Sequence, residues 1–305
     1  MCKNCETKTV YINKINNVKY CKGCFIKYFE RKFRKTIRVY KLIRKKDKIL
    51  VACSGGKDST IVLYLLNKIF RDRNKIEALI VDPSIGEYTR KNLKNLREFC
   101  KKYEIKLNEK SFRDEFGYSL HQIRNLLKKK GYEYTICTIC GVLRRYVINK
   151  FARENKFSVV ATGHNLDDEA ESFLMNVFKN KMDVTARLGV KTGIFRIKSF
   201  VPRIKPLYFH TEKETTLFSK LHKFKVVYKK CPYRTNILRA QVEKILDEFE
   251  KKHPDVKYAV VNSFLEILPC LKRFYKKDLI NMCEKCGEPT SGKICKTCEI
   301  LSKLQ

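Results

Sequence analysis

The sequence is short of acid. Only 32 Asp and Glu stand against 67 Lys and Arg in 305 residues, a formal net charge of +35. That scarcity excludes a simple surface lattice of alternating Lys and Glu. So large an excess concentrates polyanions near the surface and speeds their capture. Nucleic acid is the natural partner, because neutralising phosphates releases counterions; a Lys- and Asn-rich composition with a merely solvated surface is the bland alternative. Long apolar runs are missing too. None nears the roughly 18 residues a membrane span needs, and Met1-Cys2-Lys3-Asn4-Cys5 lacks the apolar stretch of a secretory signal. A soluble, cytoplasmic protein is expected. No repeat of fixed period appears. With 44% hydrophobic residues the chain can still bury one sizeable core plus small satellites.

Cysteine is what the chain has in plenty: 14, of which 10 fall into five Cys-x2-Cys pairs. In an intracellular chain, metal ligation explains such sets better than disulfides. Cys2-x2-Cys5 and Cys21-x2-Cys24 stand 15 residues apart, the spacing of a zinc ribbon. A segment this short builds no core and needs the metal to fold. Cys283-x2-Cys286 and Cys295-x2-Cys298 stand eight residues apart, and four thiolates can still close on one ion. Cys137-x2-Cys140 is different. Alone it could be a redox pair, but Cys231 precedes a proline, a frequent context for an iron–sulfur ligand. Cys53, Cys100 and Cys270 lie in apolar contexts and are expected in the core.

Along the chain, Phe25, Phe29, Phe33, Ile37 and Tyr40 mark one face of a basic amphipathic helix over 25–46. Its other face carries Lys27, Arg31, Lys35, Arg38, Lys41, Arg44 and Lys45, either a solvated surface or an RNA contact. Strand patterns at 48–53, 76–81, 105–109 and 157–162 alternate with helical ones at 61–70, 88–103 and 168–179; two further helices are expected at 234–252 and 257–268. Alternation of this kind predicts an α/β fold, a parallel sheet covered by helices on both faces. Ligands then sit at the carboxyl ends of the strands.

Three loops follow such ends. Ser54-Gly55-Gly56-Lys57-Asp58-Ser59 joins a strand to a helix, and its glycines let backbone N–H groups approach phosphate. It is not the Walker loop, whose glycines are separated by four residues. Asp58 is unusual beside phosphate unless it holds magnesium. Val81-Asp82 opens the second loop, and Thr162-Gly163-His164-Asn165-Leu166-Asp167-Asp168-Glu169 forms the third. Paired carboxylates there suit magnesium. Asp167 is expected to cap a helix, His164 to be structural, and Asp168 to be catalytic.

The strings Ser54–Ser59, Cys137-Thr138-Ile139-Cys140-Gly141, Thr162–Glu169, Val201-Pro202-Arg203-Ile204-Lys205-Pro206-Leu207 and Cys231-Pro232-Tyr233, framed by the terminal cysteine pairs, run in order through nearly the whole chain. Together they resemble the tRNA 2-thiouridine synthetases of the two-zinc-finger type, in the PP-loop ATP pyrophosphatase superfamily. The resemblance implies a Rossmann-like catalytic domain over 31–270 between zinc modules at 1–30 and 271–305. It implies ATP and Mg2+ at Ser54–Ser59, with Val81, Asp82 and Gly163 also at the nucleotide. It implies adenylation of a uridine C2 oxygen in tRNA and a 4Fe–4S cluster on Cys137, Cys140 and Cys231 that presents sulfur at an open iron. Asp168 matches a family catalytic aspartate. The family's basic residue one turn past the second cluster cysteine is Arg144 or Arg145 here; some members have Lys where Arg144 stands, and since arginine does not deprotonate, charge stabilisation is its expected role. Some relatives place histidine where this chain has Cys24.

Sulfide or a ubiquitin-like carrier protein would supply the sulfur, and relatives often form homodimers. Lys272, Arg273, Lys276 and Lys277 make a basic patch suited to tRNA. The wobble uridine is the expected target, with the T-loop uridine as alternative. The rival readings are 2-thiocytidine synthesis, which the two zinc modules oppose, lysidine-type adenylation, which leaves three cysteines unexplained, and a non-enzymatic zinc-ribbon RNA binder, which the intact loop and Asp168 oppose.

Overall fold

The structure, a computed structural model, describes residues 1–192, 200–229, 231–233, 237–275 and 281–304. Lys276 and Lys277 of the basic patch lie outside them. The chain opens with a hairpin, β1 (Tyr11–Asn13) and β2 (Val18–Tyr20), and then helix α1 (Lys22–Val39). α1 buries Phe25, Phe29, Phe33 and Ile37 at helical spacing and leaves Arg31, Lys35 and Arg38 in solvent. It ends earlier than its charge pattern suggests. Lys41 turns left-handed at φ 47° and the Leu42 N–H donates to the Ile37 carbonyl, a Schellman-type closure. Leu42, not Tyr40, continues the buried stripe.

The core sheet follows: β3 (Lys48–Cys53), α2 (Lys57–Phe70), β4 (Lys75–Asp82), α3 (Gly86–Lys102), β5 (Lys106–Ser111), the short α4 (Phe112–Phe116), α5 (Leu120–Lys129), α6 (Ile136–Glu154), β6 (Val159–Thr162), α7 (Leu166–Phe178), α8 (Met182–Thr185) and β7 (Arg203–Ile204). Its order is β5-β4-β3-β6-β7, and every neighbouring pair is parallel. Ile49, Leu50 and Val51 in β3 and Val159, Val160 and Ala161 in β6 are buried in continuous runs, as expected of strands covered on both faces. The chain moves from β3 outward to β5, then returns to the other side of β3. That reversal between β3 and β6 is the switch point where such sheets bind ligands.

Helices α9 (Glu212–Leu221), α10 (Ile237–Lys252) and α11 (Val256–Phe274) complete the core. α11 runs on through Pro269 to Phe274, past the expected end. Its buried stripe is Lys257, Val261, Phe264 and Leu268, so Cys270, expected in the core, is exposed; Cys53 and Cys100 are buried. A second hairpin, β8 (Asn281–Met282) and β9 (Pro289–Thr290), and helix α12 (Lys296–Ser302) close the chain. Because α1 runs through residue 30, the N-terminal cysteine module and the core share a helix. Among the described residues no helix is long and apolar enough to cross a membrane.

Buried charge ties the helical layer together. Lys257 Nζ donates to Asp167 Oδ1 at 2.6 Å and to Asp247 Oδ1 at 2.7 Å, and Asp167 Oδ2 accepts from the Glu212 N–H at 2.7 Å. Asp167 is therefore a core link between α7, α9 and α11 rather than a cap; Asn165 caps α7. We predict that Lys257→Ala lowers stability by about 3–5 kcal/mol, the cost of stranding a buried charge. Chemical denaturation should show it, while Arg273→Ala, at an exposed position of α11, leaves the midpoint in place.

Candidate active site and metal centres

The nucleotide loop sits at the end of β3. Gly55 adopts φ +78°, and a Cβ there would meet Asn92 Cβ at 2.6 Å; a Cβ on Gly163 would meet the Ser59 amide nitrogen at 2.6 Å. Both glycines are required, because Gly55 packs against α3 and Gly163 against the N-terminus of α2 without room for side chains. Serines close the turn: the Ser54 N–H donates to Ser59 Oγ at 3.2 Å and the Gly56 N–H to Ser54 Oγ at 3.3 Å. Gly56 caps α2 without a side chain. The first turn of α2 therefore offers its backbone amides and the positive end of its dipole to an anion.

Charged groups surround that turn. Lys57 Nζ donates to Asp58 Oδ2 at 2.8 Å and to Glu212 Oε1 at 3.2 Å. Asp58 Oδ1 is buried and has no hydrogen-bond partner. Burial pushes the Asp58 carboxyl up despite Lys57 beside it. A divalent cation would satisfy that orphaned oxygen, so the site fits magnesium, an oxygen-seeking ion. Asp168 stands in the first turn of α7, its field reaching Asp58. Asp168 Oδ2 accepts from the Asn165 N–H, completing a capping box, and its Oδ1 accepts from Arg239 Nη2 at 2.7 Å. Burial works to raise the Asp168 carboxyl, but the His164 imidazole, Arg239 and the Asn165 amide outweigh it and hold it below the usual range. Arg239 also donates to Glu171 Oε2 at 2.6 Å, yet burial pushes Glu171 up to about 7. His164 is exposed and pairs with the Thr162 hydroxyl at 2.9 Å.

Beside the loop lies a cavity of about 270 Å³. Ser54, Val81 and Asp82 form its sheet side, and Cys137, Cys140, Arg144 and Cys231 face them. Helix α6 positions three of these. Thr135 caps it by accepting the Thr138 N–H at 3.2 Å, so Cys137 falls in the first turn. Cys137, Cys140, Gly141 and Arg144, at i, i+3, i+4 and i+7, share one face. The Cys231-Pro232-Tyr233 segment approaches from across the cavity, and the Cys137 thiol donates to the Tyr233 carbonyl at 2.9 Å. Burial raises the Cys140 thiol, while Arg144 opposes it. Arg144 Nε is buried without a hydrogen-bond partner. Three thiols facing a cation with spare donors fit an inorganic group carried on thiolates, and the nearby nucleotide loop opens into the same space. Asp168 does not line this cavity; it lies within electrostatic reach of Lys57 and Asp58.

The remaining sets form two compact centres. The sulfurs of Cys2, Cys5, Cys21 and Cys24 lie within 4.8 Å of one another, as do those of Cys283, Cys286, Cys295 and Cys298. Each set has the donors and the closeness a single four-thiolate ion needs. N–H groups support the sulfurs, from Cys24 to Cys21 Sγ at 3.5 Å and from Cys295 to Cys283 Sγ at 3.2 Å. The first module is fixed to the core through Glu214, which accepts from Tyr11, Tyr28 and Lys32. The second is fixed to α6: Glu288 takes Asn149 and Arg153, and Glu299 of α12 takes the Tyr134 hydroxyl at 2.8 Å. The helix that carries two cavity cysteines thus rests on the C-terminal module.

Sequence reading missed Arg239, Glu171 and Glu212. Each meets its partner across a long stretch of chain, and no local pattern marks it. Lys205 was only part of a string, although its Nζ pairs with Glu169 at 2.7 Å behind the third loop.

A strand-end loop built for phosphate, a thiol cavity beside it and two four-cysteine centres define a nucleotide-dependent enzyme of sulfur or metal chemistry. Comparison with known proteins makes this specific. The PP-loop domain family matches residues 26–246. A tRNA-5-methyluridine(54) 2-sulfurtransferase of Pyrococcus horikoshii is 33% identical over 298 residues, covering 98% of this chain and 92% of the relative. A cytoplasmic tRNA 2-thiolation protein 1 of Anopheles gambiae is 31% identical, covering 93% and 82%. The solved structure of the U34-tRNA thiolase NcsA from Methanococcus maripaludis with its 4Fe–4S cluster superposes with a TM-score of 0.85 at 31% identity, covering 99% of this chain and 96% of that one. The chain belongs to the PP-loop family of tRNA 2-thiolation sulfurtransferases.

Proposed function

We propose that the protein is a cytoplasmic tRNA-uridine 2-sulfurtransferase acting on the wobble uridine. The observation that carries this is the single cavity shared by Ser54, Val81 and Asp82 with Cys137, Cys140 and Cys231. ATP binds with its phosphates at Ser54–Ser59 and its adenosine end toward Val81 and Asp82. Asp58, with Asp168 near it, would hold Mg2+, which would neutralise charge on the phosphates. The uridine C2 oxygen attacks the α-phosphate and pyrophosphate leaves; a carbonyl oxygen, a poor leaving group, thereby becomes part of AMP. Attack by sulfur at C2 then expels AMP and leaves the thiocarbonyl. Lys57 and the α2 amides neutralise charge on the leaving pyrophosphate, and Arg144 the charge that the oxygen of the departing AMP gains as its bond to C2 breaks.

Cys137, Cys140 and Cys231 would hold a 4Fe–4S cluster, which supplies an iron free to bind sulfide. The two four-cysteine centres would hold Zn2+, in modules spanning 1–30 and 271–305 around a catalytic domain at 31–270. To be reached, the base leaves its stack, and the basic surface of α1 suits the tRNA backbone. Sulfide, or a ubiquitin-like carrier protein, delivers the sulfur.

Supplying ATP, Mg2+, sulfide and an unmodified tRNA transcript to protein kept free of oxygen, then digesting the RNA and mapping the product by mass, tests this. A sulfur-bearing nucleoside at position 34 is the expected result. Sulfur placed only in the T-loop, the site named for the Pyrococcus relative, would overturn the wobble assignment. No thionucleoside would overturn the function.

A further inference from the structure

Helix α6 has a second working face. Val142, Arg145, Tyr146 and Asn149 repeat the i, i+3, i+4, i+7 spacing of the thiol face, and they line a separate cavity of about 610 Å³ against the C-terminal cysteine module. Arg187, Phe200, Arg203 and Lys296 complete its charged and aromatic wall. Its charge is unbalanced. Glu288, the acid in this wall, is taken up by Asn149 and Arg153, Lys296 is paired with Glu299, and Arg187 reaches Asp183 only at 3.7 Å. Among the described residues, no carboxylate lies within ion-pair distance of Arg145 or Arg203. Instead the two arginines lie together, with Arg203 Nη2 donating to the Arg145 carbonyl at 3.4 Å.

Two arginines close enough to repel, with Glu288 acting on Arg203 only from beyond ion-pair distance, are a costly arrangement unless an anion completes it. We propose that this cavity binds a backbone phosphodiester of the tRNA substrate, held between Arg145 and Arg203, and so fixes the strand that places the target base in the thiol cavity across α6. This deepens the thiolase reading and rests on it. One helix thickness, about 10 Å, separates the two cavities, a span suited to one continuous RNA strand passing over α6. The cavity is far larger than a free phosphate needs, and its Tyr146 and Phe200 rings suit a nucleotide chain better than a lone inorganic ion. Burial and the Arg145 charge pull Arg203 down to about 10, and burial pulls Arg145 down as well, the electrostatic sign of a site short of negative charge.

The test is the salt dependence of binding, by the zinc-loaded full chain, of an unmodified tRNA transcript. Arg145→Ala and Arg203→Ala should each weaken binding about tenfold and lower the slope of log K against log salt by about 0.7–0.9, the loss of one phosphate contact. Arg145→Lys should retain the slope, and zinc content should stay unchanged. Wild-type slopes in both alanine variants overturn the site, including the case in which they lose only delivery of sulfur from a carrier protein. Failure of the thiolase reading shows separately, as wild-type protein that binds tRNA but forms no thiouridine.

Discussion

Cys231→Ala abolishes thiolation while both zinc ions and the fold remain: this is the largest effect the structure predicts. Cys231 lines the thiol cavity from the Pro232–Tyr233 segment, opposite the two cysteines of α6. It takes no part in either four-cysteine centre. Its loss leaves two thiols on one helix face, too few to hold an iron–sulfur group. The nucleotide loop is untouched, so pyrophosphate release with tRNA should persist. Zinc by metal analysis, pyrophosphate by a coupled assay and thiouridine by mass separate these outcomes. Thiolation that survives removes Cys231 from the sulfur chemistry.

Asp58→Ala should have the opposite signature. The variant loses the buried carboxylate whose Oδ1 lacks a hydrogen-bond partner and whose Oδ2 accepts from Lys57. Pyrophosphate release should fall at least about a hundredfold, the scale of losing one preorganised electrostatic contact in a closed site. tRNA affinity should hold, because the basic surface that binds polyanions is elsewhere. Cavity iron should also be retained. Asp58→Asn keeps the size but not the charge and should behave like the alanine variant if the carboxylate serves magnesium. Full activity in the asparagine variant would mean that it serves only Lys57.

Much of this was legible in the sequence because the chemistry is local. Strand, turn and helix follow one another within Lys48–Phe70, and cysteine pairs two residues apart announce themselves. The continuous apolar runs at 48–53 and 157–162 placed β3 and β6, and with them the edge where the loops lie. Other features depend on contacts no spacing reveals. Asp168 and Arg239 are 71 residues apart in the chain. β7 is only two residues long, Arg203–Ile204, and shows no period. Asp167 resembles a cap in sequence, but Lys257, 90 residues on, makes it a core ion pair. The division of Arg144 and Arg145 between two cavities needed the helix itself: one residue along α6 turns a side chain by about 100°.

The measurement closest to the centre of the account is iron and acid-labile sulfide, with an absorption spectrum, on protein purified without oxygen. About four irons and four sulfides per chain, lost in Cys137→Ala while zinc stays, are predicted for a cluster on these three thiols. Zinc at full occupancy with no iron, even after anaerobic reconstitution, would contradict it and leave Cys137 and Cys140 as a redox pair.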